Sequence, residues 1–252
     1  MRIGSWQFTP GFWPTLATLM FLPLFMALGF WQLDRADQKT RKHEEFTRRQ
    51  AEHALDLNDP QALRADKQHL LWRQVRAGGR FDTEIHILLD NQVVKGEAGY
   101  FVFTPFLVPP GDRWLLVNRG WVPLGANRSV APVLETPAGN VKIEGVINDV
   151  PATGLALKKA QAEALTRNIY RAQKIDLEED AGLTRHELLP YVLTLAPASG
   201  YGFVREWQAP GSGREKHLGY AFQWFLFAAI LLVIYLVVNL KKVANVDDGT
   251  TK

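Results

Sequence analysis

The sequence predicts a membrane protein: a two-helix transmembrane hairpin carrying a mainly β (α+β) extracytoplasmic domain with antiparallel strands. Three observations predict it. Positions 218–240 carry no charged side chain, with Arg214, Lys216 and His217 before them and Lys241 and Lys242 after. A second uncharged stretch separates Arg2 from Asp34. The segment between the two reads as short strands punctuated by glycine and proline.

The run from His217 to Leu240 sets the frame. About 23 residues at 1.5 Å each give roughly 34 Å of helix, enough to cross a ~30 Å hydrocarbon core with some tilt. His217, Tyr220, Ala221, Trp224 and Ala228 recur at helical spacing and share one face. A histidine where a helix leaves the headgroup region suits a metal or a proton. The alternative is an ordinary interfacial belt, where Tyr and Trp concentrate anyway. The first span is expected over 12–31, with Pro14 in its first turn and Pro23 kinking its interior. It is too long for a signal peptide and has no cleavage motif behind it.

Two spans leave residues 34–216 as one loop of about 180 residues, so orientation is read from the tails. Arg2, Lys241, Lys242 and Lys252 argue for both termini in the cytoplasm. In a bacterium the loop is then periplasmic, on the inner membrane. A helical extension is expected over 34–70, supported by Asp37–Arg41, Glu44–Arg48 and Glu45–Arg49 at i, i+4. Within it, Asp59 caps a second helix that starts at Pro60. The β-rich domain is expected over 71–213, with strands near 84–90, 100–107, 114–119, 141–147, 191–196 and 202–208. Asp176 opens a short helix with a capping-box pattern, and Gly182 is its expected end. Residues 217–240 form the second span and 241–252 a cytoplasmic tail.

The composition excludes several chemistries. Cysteine is absent, which removes disulfides, thiolate catalysis and Cys-ligated metal sites. A net charge of +3 gives no support for a nucleic-acid partner. His43, His53, His69, His86 and His186 show no metal-site spacing, and no nucleophile elbow or phosphate loop is present. Asp82, Glu84 and Asp90 have no spacing that demands paired carboxylates. His86, between Ile85 and Ile87, is expected on the surface of a half-buried strand. The chain does not read as an enzyme. Arg119 and Trp121, in Asn118-Arg119-Gly120-Trp121-Val122-Pro123, read either as a packed hairpin corner or as a contact for a partner.

Five motifs occur in order: Gly29-Phe30-Trp31-Gln32 with Arg35; Trp72-Arg73-Gln74-Val75 leading to Gly79 and Phe81; Gly99-Tyr100 before Thr104-Pro105; Asn118 to Pro123; and His217-Leu218-Gly219-Tyr220-Ala221-Phe222-Gln223-Trp224-Phe225. Together they resemble the Surfeit-locus family of cytochrome c oxidase assembly factors, over about residues 12–240 and most loosely at 125–190. Gln223 departs from a more usual Thr. The resemblance implies a non-enzymatic role, helping haem a to reach or stay in the catalytic subunit of the oxidase, beside other assembly factors and membrane lipid. It places the family's membrane histidine at His217, as ligand to the haem iron. Tyr220, Trp224 and Trp31 are then the expected aromatic walls of a haem held between the helices. A cofactor-free membrane scaffold for oxidase subunits is the competing expectation, with Arg119 and Trp121 in the contact.

Overall fold

A computed structural model describes residues 2–3, 6–125, 127–151 and 162–242. The tail expected at 241–252 lies outside them beyond Lys242. In chain order the elements are β1 (Arg2–Ile3), β2 (Trp6–Phe8), α1 (Phe12–Gln50), β3 (Leu55–Asp56), α2 (Pro60–Arg64), α3 (Lys67–Leu70), β4 (Gln74–Phe81), β5 (His86–Val94), β6 (Glu97–Val108), β7 (Arg113–Pro123), β8 (Asn140–Asn148), β9 (Glu163–Ala164), β10 (Ile169–Ala172), α4 (Leu177–Thr184), β11 (Leu188–Leu195), α5 (Arg214–Asn239) and β12 (Leu240–Lys242). They fall into two units, 1–45 with 209–252, and 46–208.

The first unit holds α5 and most of α1, both long and apolar enough to cross a membrane. Pro14 sits in the first turn of α1, where its missing N–H costs nothing. Thr15 and Thr18 donate their hydroxyls back to Gly11 O and Pro14 O at 2.8 Å, so neither is left bare in an apolar setting. The helix continues unbroken through Pro23 and on past Asp34 to Gln50. A three-stranded antiparallel sheet closes one end of the unit: β2 pairs with β1 on one edge and with β12 on the other.

The second unit is built on a closed ring of strands. β4 pairs with β8, β8 with β11, β11 with β7, β7 with β6, and β6 returns to β4. Five strands therefore close a small barrel. Its interior is filled by Val75, Phe81, Phe106, Leu115, Val117, Ile143, Ile147, Tyr191, Leu193 and their neighbours. β6 runs beyond the ring to pair with β5, and β10 and β9 extend the sheet from there. Second and third apolar clusters cover the outer faces of β5, β6 and β7.

Most pairings are antiparallel, as expected, but β11 lies parallel to β7, β10 to β5 and β3 to β4. Each parallel partner is reached by a long excursion, which strand patterns alone do not reveal. Gly78 and Gly79 stand inside β4 rather than at its end. A Cβ on Gly79 would run into the backbone oxygen of Leu107 and lie 2.8 Å from the Phe106 ring, at the β4–β6 closure of the ring. Residues 202–208, expected as a strand, form only an isolated bridge, Val204 to Trp121. The 34–70 stretch is helical to Gln50, then carries β3, α2 and α3.

The caps follow the local chemistry. Asp59 accepts from Gln61 N, with Pro60 opening α2. Asp176 accepts from Glu178 N and Glu179 N to open α4. The reciprocal acceptor is Asp180, which takes Asp176 N at 3.0 Å, rather than Glu179. α4 passes Gly182 and ends after Thr184, with Arg185 supplying the left-handed residue at φ 59°.

His86 corrects the surface expectation. It is 4 % exposed, and Ile87 beside it is fully buried, because β5 is covered on both faces. Burial, then the nearby Arg119 charge, pushes the imidazole pKa down from 6.5 to about 4, while Asp82 pulls weakly the other way. An unfolded chain takes up this proton first as pH falls. The contribution to stability is therefore whole above pH 6.5 and disappears as pH drops towards 4. A shift of this size is worth about 3 kcal/mol. Asp180 has the opposite sign: burial raises its carboxyl to about 6, so its contribution is lost as pH rises from about 4 to 6. Replacing His86 with Gln is expected to flatten the loss of thermal stability between pH 6.5 and 4, read as unfolding midpoints across that range. A slope identical to the wild type would remove His86 as its source.

Candidate functional site

The two apolar helices pack antiparallel, and the packing is a ladder. At one end His217 Nδ1 lies 2.8 Å from Gln32 Oε1. Next, a Cβ on Gly29 would stand 2.6 Å from the Phe225 ring, so the helices nearly touch there. Phe30 meets the same ring edge-on at 5.4 Å between centroids. Phe25 packs on Trp224 and Phe227 at 5.8 and 6.0 Å. At the far end Thr15 and Tyr235 share a hydroxyl hydrogen bond of 3.1 Å, and Gly11 N donates to Asn239 Oδ1 at 2.7 Å. From Gly11 to Gln32 this is roughly 31 Å of helix, about the thickness of a hydrocarbon core. Polar contacts thus stand at the two ends and aromatic contacts between them. Asp34 and Arg35 follow one end; Lys241 and Lys242 follow the other.

The face anticipated on α5 is the face that meets α1. Ala221 and Ala228 are 2 % and 3 % exposed, and Trp224 reaches Phe25. On α1, Thr18, Gly29, Gln32 and Ala36 recur at helical spacing and are buried. His217 is half-buried and paired with Gln32, which the sequence reading passed over in favour of its neighbour Trp31. Trp31 is 49 % exposed and lies under the Arg35 guanidinium, 5.6 Å from its ring centroid. Tyr220 is 53 % exposed. His217 and Trp224 are therefore on the helix-pairing side, while Trp31 and Tyr220 show much of their surface outward. A polar residue ending an apolar run was the available signal for Gln32.

In the β-domain Arg119 and Trp121 take the packed-corner arrangement, one of the two expected for them. Arg119 and Trp121 are 1 % and 5 % exposed. Gly120, at φ 118°, breaks the simple alternation, and residues 201–204 fold over the strand. Arg119 donates from Nε to Tyr201 O at 2.8 Å, from one terminal nitrogen to Thr136 Oγ1 at 2.7 Å, and from the other to Glu135 O. Its guanidinium lies 5.0 and 4.9 Å from the Phe81 and Phe203 ring centroids. Burial lowers its pKa to about 10, which leaves it charged at neutral pH. Trp121 donates its indole N–H to Gln92 O at 3.1 Å. These two residues pin loops to the barrel.

The remaining titratable groups do not converge. Asp82 pairs with His186 at 2.7 Å, and His186 stacks on Trp114. Asp90 pairs with Arg128 at 3.0 Å, and Glu84 is exposed. His86 contacts Thr104 Oγ1 at 3.0 Å. Among the described residues no group of three or more His, Cys, Asp or Glu could hold a metal ion.

Two apolar helices of spanning length and a domain built on a small β-barrel define the class: a β-barrel domain joined to a pair of membrane-capable helices. The particular family follows from comparison: the SURF1 family profile matches residues 19–229, and the chain belongs to that family, whose members are oxidase assembly factors. It is similar to the SURF1-like protein of Rickettsia bellii (strain RML369-C), at 27 % identity over 233 residues covering 87 % of this chain and 88 % of that one. A SURF1-like protein of Rickettsia prowazekii (strain Madrid E) is 24 % identical over 225 residues, covering 85 % and 84 %. Surfeit locus protein 1 of Arabidopsis thaliana is 35 % identical over 116 residues, 42 % of this chain and only 33 % of the plant protein.

Proposed function

We propose that this chain is a two-pass membrane protein that holds haem a for the catalytic subunit of cytochrome c oxidase during assembly. The helices sit in the bacterial inner membrane, with both termini cytoplasmic and the β-domain periplasmic. Three features support the membrane placement. Few side chains of either apolar segment are buried within the protein, so bilayer is their natural cover. The pairing of β2 with β12 brings the segment before α1 and the segment after α5 to one end of the helix pair. That end carries Lys241 and Lys242, the cytoplasmic signature.

The observation that carries the haem reading is the lone imidazole of His217 at the opposite end of the pair, beyond the tightly packed stretch. Its chemistry suits a haem iron, which takes a neutral imidazole nitrogen as axial ligand. The space between the helices does not suit a flat macrocycle: Gly29 and Phe225 are in contact there, and Phe25, Trp224 and Phe227 fill the next turns. The haem therefore belongs beside His217, against the half-exposed Trp31 and Tyr220, rather than in a cleft walled by Trp224. When bound, the iron supplies the coordination bond that retains the cofactor; the protein supplies the ligand, apolar cover and release.

Replacing His217 with Ala tests this. The full chain, purified in detergent from a cell that makes haem a, is expected to lose its haem absorption bands while keeping its far-ultraviolet circular dichroism. Unchanged haem content and ligation would take His217 out of the site. A wild type without haem that still supports oxidase assembly would favour a cofactor-free scaffold.

A further inference from the structure

We propose that Gln32 is the positioning residue of this site: it holds His217 as the Nδ1–H tautomer and leaves Nε2 as the open donor. The purpose of the arrangement rests on the haem reading above; its geometry does not. Gln32 is 8 % exposed on α1, and its Oε1 stands 2.8 Å from His217 Nδ1. A carboxamide oxygen can only accept, so this contact is a hydrogen bond when Nδ1 carries the hydrogen. In a neutral imidazole the lone pair then lies on Nε2, the nitrogen left for a metal. Ligating histidines are commonly held this way through their other nitrogen, which fixes the ring and raises its basicity. The reverse arrangement, with the carboxamide NH2 towards Nδ1, would place the proton on Nε2 and close it to iron.

Gln32 is not the glue of the helix pair. Gly29 against Phe225, Phe25 against Trp224, Thr15 with Tyr235 and Gly11 with Asn239 hold the pair along its length. Single interhelical hydrogen bonds add little to such packing in lipid. A change at position 32 therefore reads the chemistry of His217 more than the fold.

The test uses the full chain in lipid nanodiscs with nitrogen-15-labelled histidine, as wild type, Gln32→Leu and Gln32→Glu, with His217→Ala to assign the resonance. The wild-type ring is expected to be protonated at Nδ1 with Nε2 bare. Gln32→Leu shifts the ring towards the Nε2–H form, and Gln32→Glu, which still accepts from Nδ1, restores the Nδ1–H form. Titration with haemin gives the second readout: affinity falls about 10–100-fold in Gln32→Leu and returns in Gln32→Glu. A wild-type ring protonated at Nε2, or a Gln32→Leu protein matching the wild type in both tautomer and haemin affinity, overturns the proposal. A wild type that keeps the Nδ1–H form but takes up no haemin removes the haem reading and leaves the tautomer assignment standing.

Discussion

Gly79→Ala is expected to lower the thermal unfolding midpoint of the full chain by roughly 10 °C, following a loss of about 3 kcal/mol. The methyl group would enter the backbone oxygen of Leu107, with the Phe106 ring 2.8 Å away. A side chain at the clash could rotate aside; a strand carbonyl cannot. β4 is held in β-pairing by β8 along seven residues, from Gln74 to Arg80. The strain therefore falls on the β4–β6 pairing of Arg80 with Leu107 and Phe81 with Phe106, which closes the ring. Gly78, one residue earlier, has only Asn58 Oδ1 near its would-be Cβ, at 3.4 Å. Gly78→Ala is the internal control and should cost far less. Equal midpoints for Gly79→Ala and the wild type, by circular dichroism in detergent, would mean that the barrel does not close here.

Arg119→Met is expected to cost about 3 kcal/mol or more, and Arg119→Lys most of the same. Two opposing contributions set the size. Burial of the guanidinium is unfavourable, as its lowered pKa shows, by about 3 kcal/mol. Against this stand hydrogen bonds to Tyr201 O, Thr136 Oγ1 and Glu135 O, each charge-assisted and worth about 1.5–3 kcal/mol, and contacts with two aromatic faces. The bonds outweigh the burial. Methionine keeps the volume but leaves acceptors on two loops without their donors. Lysine keeps the charge but lacks the planar fork that reaches three acceptors at once. Urea unfolding of the full chain in detergent checks this. A variant within 0.5 kcal/mol of the wild type would show that solvent replaces the lost donors.

Most of the helical unit was legible from residue chemistry. A charge-free run bounded by lysines and a second one ending at Asp34 define the two apolar segments, and their antiparallel pairing places the end of one beside the start of the other. That reasoning reaches the level of His217 but not its partner. Successive helical residues point about 100° apart, so Trp31 and Gln32 occupy different faces although they share a depth. Only packing decides which of them meets the imidazole.

The β-domain was legible in its strands and less so in its closure. β5 to β8 and β11 follow runs rich in β-branched and aromatic residues. The parallel β7–β11 pair follows from no local pattern, because its partners are separated by sixty-odd residues of chain. His86 departs from its expected place because an alternation rule presumes a sheet with one wet face, and β5 has none. A glycine that lets two strands approach, as Gly79 does, looks in sequence like one that ends a strand.

The small sheet of β1, β2 and β12 has a mechanical consequence for the helix pair. Beside it, strand pairing and the Thr15–Tyr235 and Gly11–Asn239 bonds fasten the helices together; past His217, Gly211 lies tight against the α1 backbone at Lys39 and His43. The two helices are thus clamped on either side of the imidazole, which sits in a braced frame rather than at a loose end.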